Sequence, residues 1–191
     1  MVIVGIDEVG RGCLAGPLVC GAVILKRPLK GLKDSKLLTK TSRELLNKII
    51  RNSEAEIGIG WVSADQLDLI GLTRATAVAM ERALNQLATP YDEIIIDGNY
   101  NYLSNNPKAR AVIKADETVP AVSAASIVAK VARDNYMAFL AQDYPGYGFE
   151  KHVGYGTRLH KEMIERNGVT QIHRHSFRPV SSWVGRMKAA S

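Results

Sequence analysis

Val4-Gly-Ile-Asp-Glu-Val-Gly-Arg-Gly-Cys-Leu-Ala-Gly-Pro17 is the stretch on which the reading of the chain turns. It starts inside an apolar run, Val2-Ile3-Val4, that reads as a buried strand over about Val2–Asp7. Two adjacent acids, Asp7 and Glu8, stand where that run gives out. Carboxylates at the end of a core strand are costly to desolvate unless something positive binds them. Gly10-Arg11-Gly12 then supplies permissive backbone, amides and one guanidinium, which suits an oxyanion or a sugar edge close to the main chain. Acids for a metal beside amides for a phosphate point to phosphodiester chemistry. Gly10 to Ala15 also matches G-x-G-x-x-A, but that dinucleotide motif must open a helix. Here Gly16-Pro17 and a β-branched run follow instead, and the acids would repel a pyrophosphate.

The rest of the chain is read outward from there. Leu18–Leu25 is a second strand and Ala55–Val62, which alternates, a third. Thr41-Ser-Arg-Glu44 has capping-box spacing ahead of a helix, and Ser63-Ala-Asp-Gln66 opens a short one that stops at Gly71. A longer helix is predicted over about Thr73–Leu87. Glu93-Ile-Ile-Ile-Asp97 is a fourth strand that also ends in an acid, and Arg110–Lys114 a fifth. Pro120 suits the first turn of a helix reaching about Gln142, rich enough in alanine and serine to sit close to the sheet. Thr157 to Asn167 is a helix with Gly168 past its end. The fold class is mixed α/β: a five-stranded mixed sheet flanked by helices, with a C-terminal helical extension, and not a doubly wound sheet.

Charge divides the 191 residues at the same place. Residues 1–145 have a net charge of +1, whereas residues 146–191 have +5 and all four histidines. We therefore expect a core over 1–145 and a basic extension over 146–191, packed as one domain against a polyanion partner. Neither Cys13 nor Cys20 belongs to a C-x-x-C pair, and no apolar run approaches a membrane span. A cytoplasmic monomer is expected, since no helix shows a spare apolar stripe and no signal-peptide pattern stands at the start.

The acids carry the chemistry. Asp7 closes the first strand and Asp97 the fourth, so adjacent strands would put both on one rim. Ser123, Ile127, Lys130 and Asp134 share one face of the long helix, which could bring Asp134 to that rim. Glu8 joins them only if the strand ends or bends at Asp7, because strand neighbours face opposite ways. Such a carboxylate pocket favours Mg²⁺ or Mn²⁺, and two ions would support in-line phosphodiester hydrolysis.

These residues match a known pattern. Gly5-Ile-Asp-Glu-Val-Gly-Arg-Gly12 with Leu14-Ala-Gly-Pro17, Asp34-Ser-Lys36, Ile96-Asp-Gly98 and Ala124-Ala-Ser-Ile-Val-Ala-Lys-Val-Ala-Arg-Asp134 resemble bacterial ribonuclease HII, the type 2 ribonucleases H. Gly154-Tyr-Gly-Thr157 and Ser176-Phe-Arg-Pro179 fit as well. The resemblance implies an RNase H-like fold and an endonuclease that cleaves RNA in RNA–DNA hybrids. It also implies nicking 5′ of single ribonucleotides in duplex DNA, leaving 3′-hydroxyl and 5′-phosphate ends. By position it implies Asp7, Glu8, Asp97 and Asp134 as metal-binding catalytic acids. Gly10, Arg11 and Gly12 would read the 2′-hydroxyl and phosphate, Tyr155 would pack on the deoxyribonucleotide side, and Lys36 would hold a phosphate. Cys13, Leu37 and Val153 depart from the pattern, which usually has Pro, Lys and Lys there.

The other readings are weaker. His173-x-His175 with His152 and His160 lacks cysteine or carboxylate partners at zinc spacing; phosphate contact or surface positions suit these histidines better. Tyr100, Tyr102, Tyr144 and Tyr147 fit local packing better than base stacking. A resolvase- or integrase-like nuclease of the same fold is the alternative enzyme, and a non-catalytic nucleic-acid binder would not need acids at two strand ends.

Overall fold

The apolar runs of the first sixty residues pair as a meander. In a computed structural model, which describes residues 1–32 and 38–189, β1 (Ile3–Val9) lies antiparallel to β2 (Leu18–Ile24). β2 in turn lies antiparallel to β3 (Glu56–Val62). Helix α1 (Lys40–Asn52) precedes β3, and α2 (Ala64–Ile70) and α3 (Leu72–Leu84) follow it. β4 (Glu93–Asp97) and β5 (Ala109–Val112) then add in parallel on the other side of β1, giving the order β3-β2-β1-β4-β5. After α4 (Ala115–Thr118) comes the long α5 (Pro120–Leu140), then α6 (Phe149–His152), α7 (Arg158–Asn167) and α8 (Val180–Ala189).

Glycines let two helices seat directly on the sheet. A Cβ on Gly5 would come within 2.1 Å of the Ala121 backbone, and one on Gly21 within 2.5 Å of the Ala125 carbonyl, so α5 lies flush on β1 and β2. On the opposite face, Gly58 and Gly60 would each meet a carbonyl of α3 at 1.9 Å. The main core fills that α3 face with Val4, Ile6, Leu18, Ile94 and Ile96 against Ala79 and Met80. A second cluster joins the C-terminal helices to the N-terminal loop, with Leu14 and Ala15 packed on Met137, Phe149, Ile164 and Trp183.

Several boundaries differ from the sequence reading. β1 runs on to Val9 rather than ending at Asp7, because β2 continues to pair with it through Glu8↔Cys20 and Val9↔Val19. α1 starts two residues early, since Thr39 and not Thr41 is the cap, its hydroxyl accepting the Ser42 N–H at 3.2 Å. The short α4 was not expected at all. Ser63 caps α2 as read; Thr157, read as the first residue of the later helix, is instead the cap of α7, and Gly168 ends α7. The Asp34-Ser-Lys36 motif, with the phosphate role expected of Lys36, lies outside the described residues, as does Leu37. Among the described residues no helix is long and apolar enough to cross a membrane.

Candidate active site

The parallel pairing of β1 with β4 delivers the first two acids. Ile6 lies opposite Ile96, so Asp7 and Asp97 follow side by side at the rim. Both share the sheet face of Gly5, which carries α5. The third acid is one the sequence reading missed. Asp116, on the turn of helix ahead of α5, is 1% exposed, and its N–H donates to Asp97 Oδ1 at 3.3 Å. The Ser123 hydroxyl fixes that turn by donating to the Asp116 carbonyl. Asp7, Asp97 and Asp116 each offer an oxygen within 4.8 Å of the others. The available signal was Asp116-Glu117, an acid pair directly after a strand, like Asp7-Glu8. It reads equally well as acids favoured by the dipole at a helix start.

Two expected members lie outside that group. Glu8 is carried to the other face by the unbroken strand, so its oxygens lie outside that group although it lines the same cleft as Asp7 and Asp97. It pairs with Arg11 Nη1 at 3.5 Å, while its Oε2 is buried without a hydrogen-bond partner among the described residues. Asp134 does share a helix face with Lys130, as its spacing predicts. That proximity closes an ion pair instead: Lys130 Nζ stands 2.7 Å from one oxygen, and Arg43 Nη1 3.9 Å from the other.

The electrostatics of the acid group are those of a cation site. Burial first, and then the charge of Glu8, push the Asp7 carboxyl up to about 8; hydrogen bonds from Ser126 and the Glu8 N–H pull only partly the other way. Burial also raises Glu8, against the lowering effect of Arg11. Crowded oxygens held at such a cost match the donor set of a hard divalent cation. Asp7, Glu8 and Asp97 open into a cleft of about 350 Å³ that is also lined by the Gly10–Gly12 loop, Lys130 and Tyr155. Arg11 lies 5.2 Å from the Tyr102 ring, and Lys130 5.8 Å from the Tyr155 ring. Gly10, Arg11, Gly12 and Tyr155 therefore share one cleft with the acids.

Comparison with known proteins now decides the family. The family model of ribonuclease HII matches residues 4–180. Ribonuclease HII of Nitrosococcus oceani is 44% identical over 180 residues, covering 93% of this chain and 89% of that one. The chain belongs to the ribonuclease HII family. It is a ribonuclease H, a hydrolase, with an RNase H-like fold. Ribonuclease H2 from Pyrococcus horikoshii OT3 superposes with a TM-score of 0.83 at 27% identity, covering 98% of this chain and 99% of that one. RNase HII from Archaeoglobus fulgidus, solved in complex with PCNA, gives 0.75 at 27% identity over 93% and 96%.

Within this ribonuclease HII fold the histidines serve the interior. His152, His160 and His173 are buried, not at the surface or on phosphate as the sequence suggested. His152 and His160 stack with ring centroids 4.3 Å apart, and His160 Nε2 lies 3.2 Å from His173 Nε2. Burial pushes His160 down to about 4 and His173 to about 3, so all three rings are neutral near pH 7. The loop tyrosines pack locally, with Tyr100 against Tyr102 and Tyr147 stacked on Phe149.

Proposed function

We propose that this chain hydrolyses the RNA strand of RNA–DNA hybrids and nicks 5′ of ribonucleotides embedded in duplex DNA. The products are 3′-hydroxyl and 5′-phosphate ends, and the role is removal of misincorporated ribonucleotides and RNA primers. The observation that carries this is Asp7 and Asp97 on one cleft beside the Gly10–Gly12 loop, with a buried Asp116 oxygen within 4.8 Å of theirs. Asp7, Asp97 and Asp116 hold divalent cations, Mg²⁺ or Mn²⁺, with Glu8 at the edge. When bound, two such ions supply a water poised for in-line attack and countercharge for the departing oxygen.

The chain's own groups do the rest. The amides and guanidinium of Gly10–Gly12 read the 2′-hydroxyl and its phosphate, the one feature that separates RNA from DNA at a given site. Glu8 holds the Arg11 head in place for that contact. Tyr155 packs on the deoxyribonucleotide next to the junction. Asp134 holds Lys130 and Arg43 at the rim, where their charge faces the phosphate backbone. Lys36 is a further phosphate contact on its motif alone. The division of labour follows the chain: residues 1–145 cut, and the basic residues 146–191 grip.

Three reactions test it: duplex DNA with one ribonucleotide, an all-DNA duplex, and the first again with EDTA. We expect nicking of the first only. Nicking of the all-DNA duplex would support a resolvase-like nuclease, and binding without cleavage a non-catalytic protein.

A further inference from the structure

Two arginines lie wholly inside the protein, apart from the acid group. Arg133 on α5 and Arg174 ahead of α8 have no exposed surface, and neither forms an ion pair among the described residues. A guanidinium buried in this way is tolerable only if its N–H groups are taken up. Here backbone carbonyls take them. Arg133 donates to Pro17 O at 2.8 Å, Ala15 O at 3.1 Å and Val153 O at 2.7 Å. Arg174 donates Nη1 to Arg11 O at 2.9 Å, and Nε and Nη2 to Gly16 O at 3.1 and 3.0 Å.

One of those carbonyls, that of Arg11, belongs to a residue lining the cleft, and another, that of Val153, lies two residues before Tyr155, which lines it too. In a trans peptide the C=O and the following N–H point in opposite directions. By drawing the Arg11 carbonyl inward, Arg174 directs the Gly12 N–H outward, and Gly12 is exposed on the cleft. Gly10, at φ 89°, rests on the other guanidinium: a Cβ there would lie 2.3 Å from Arg133 Nε. Arg133 also anchors the Val153 carbonyl two residues before Tyr155, and its guanidinium lies 5.9 Å from the Tyr155 ring.

We propose that Arg133 and Arg174 are positioning residues for substrate recognition, holding the Gly10–Gly12 amides and the Tyr155 ring in register across the cleft. This rests on the recognition role proposed above for that loop and tyrosine. Neither arginine touches the substrate; each acts through the carbonyls it holds.

The test compares Arg174→Lys and Arg174→Met with the unaltered chain on duplex DNA carrying one ribonucleotide. A charge-assisted fork lost from behind the loop should raise KM about ten-fold. Mn²⁺ affinity, read by calorimetry, should stay unchanged, and Lys should recover stability without recovering KM. Gly12→Pro, which deletes the presented N–H, should reproduce the KM defect. Wild-type KM in a folded Arg174 variant, or in Gly12→Pro, overturns the proposal. An unaltered chain with no preference for the ribonucleotide overturns instead the function on which it rests.

Discussion

Two buried polar regions of this ribonuclease HII family member differ in kind. At the rim of the sheet, Asp7, Asp97 and Asp116 bring like charges together, and burial, with the charges of Glu8 and then Asp97, pushes Asp7 to about 8. Beneath the C-terminal helices, three histidines and two arginines are buried just as deeply, yet rings and carbonyls inside the fold answer them. Buried groups that satisfy one another hold a structure together; buried groups that repel one another wait for a ligand.

The largest effect should come from relieving the repulsion. Asp7→Asn should lower cleavage on the order of 10³-fold, since the cations lose a central oxygen. The same change should stabilise the metal-free protein. An acid whose folded pKa is raised binds its proton more tightly when folded. The contribution of Asp7 to metal-free stability is therefore fully present below its ordinary value near 3.8 and is lost as pH climbs toward about 8. Thermal melts in EDTA at pH 9 should show the Asn variant more stable than the parent, with the gain fading toward pH 4. A less stable variant at pH 9 would place Asp7 with the self-satisfied groups.

The histidines should respond in the opposite sense. Their folded pKa values lie below the ordinary 6.5, so they favour the fold fully above that value. Stability should fall as pH drops from 6.5 toward 4 and 3. Tryptophan fluorescence, with Trp183 in the same C-terminal cluster, should follow the loss, and His173→Gln should blunt its pH dependence. A smaller effect is expected beside Arg133. Val153 is β-branched and sits at φ 44°, a conformation such residues avoid. Val153→Gly should stabilise the chain by about 1 kcal/mol in urea melts if relieved strain outweighs the lost packing.

Much of this was legible in the sequence, and what was not has a common cause. The sheet strands, the cap at Ser63 and the strand-end position of Asp97 follow from local pattern, and the structure keeps them. Asp116 was hidden because its acid pair matches an ordinary helix start, and only tertiary packing brings it to Asp97. Helical spacing placed Asp134 on the right face, but spacing cannot say that Lys130, one turn back, is the nearer partner. The histidines come from two short helices and a loop, so no period in the sequence unites them.

Calorimetric titration of Mn²⁺ into the parent chain, Asp116→Asn and Asp134→Asn most directly tests where the cation binds. The geometry predicts a loss of affinity of at least about ten-fold for Asp116→Asn and parent-like binding for Asp134→Asn. Parent-like binding by the first together with lost binding by the second would contradict it.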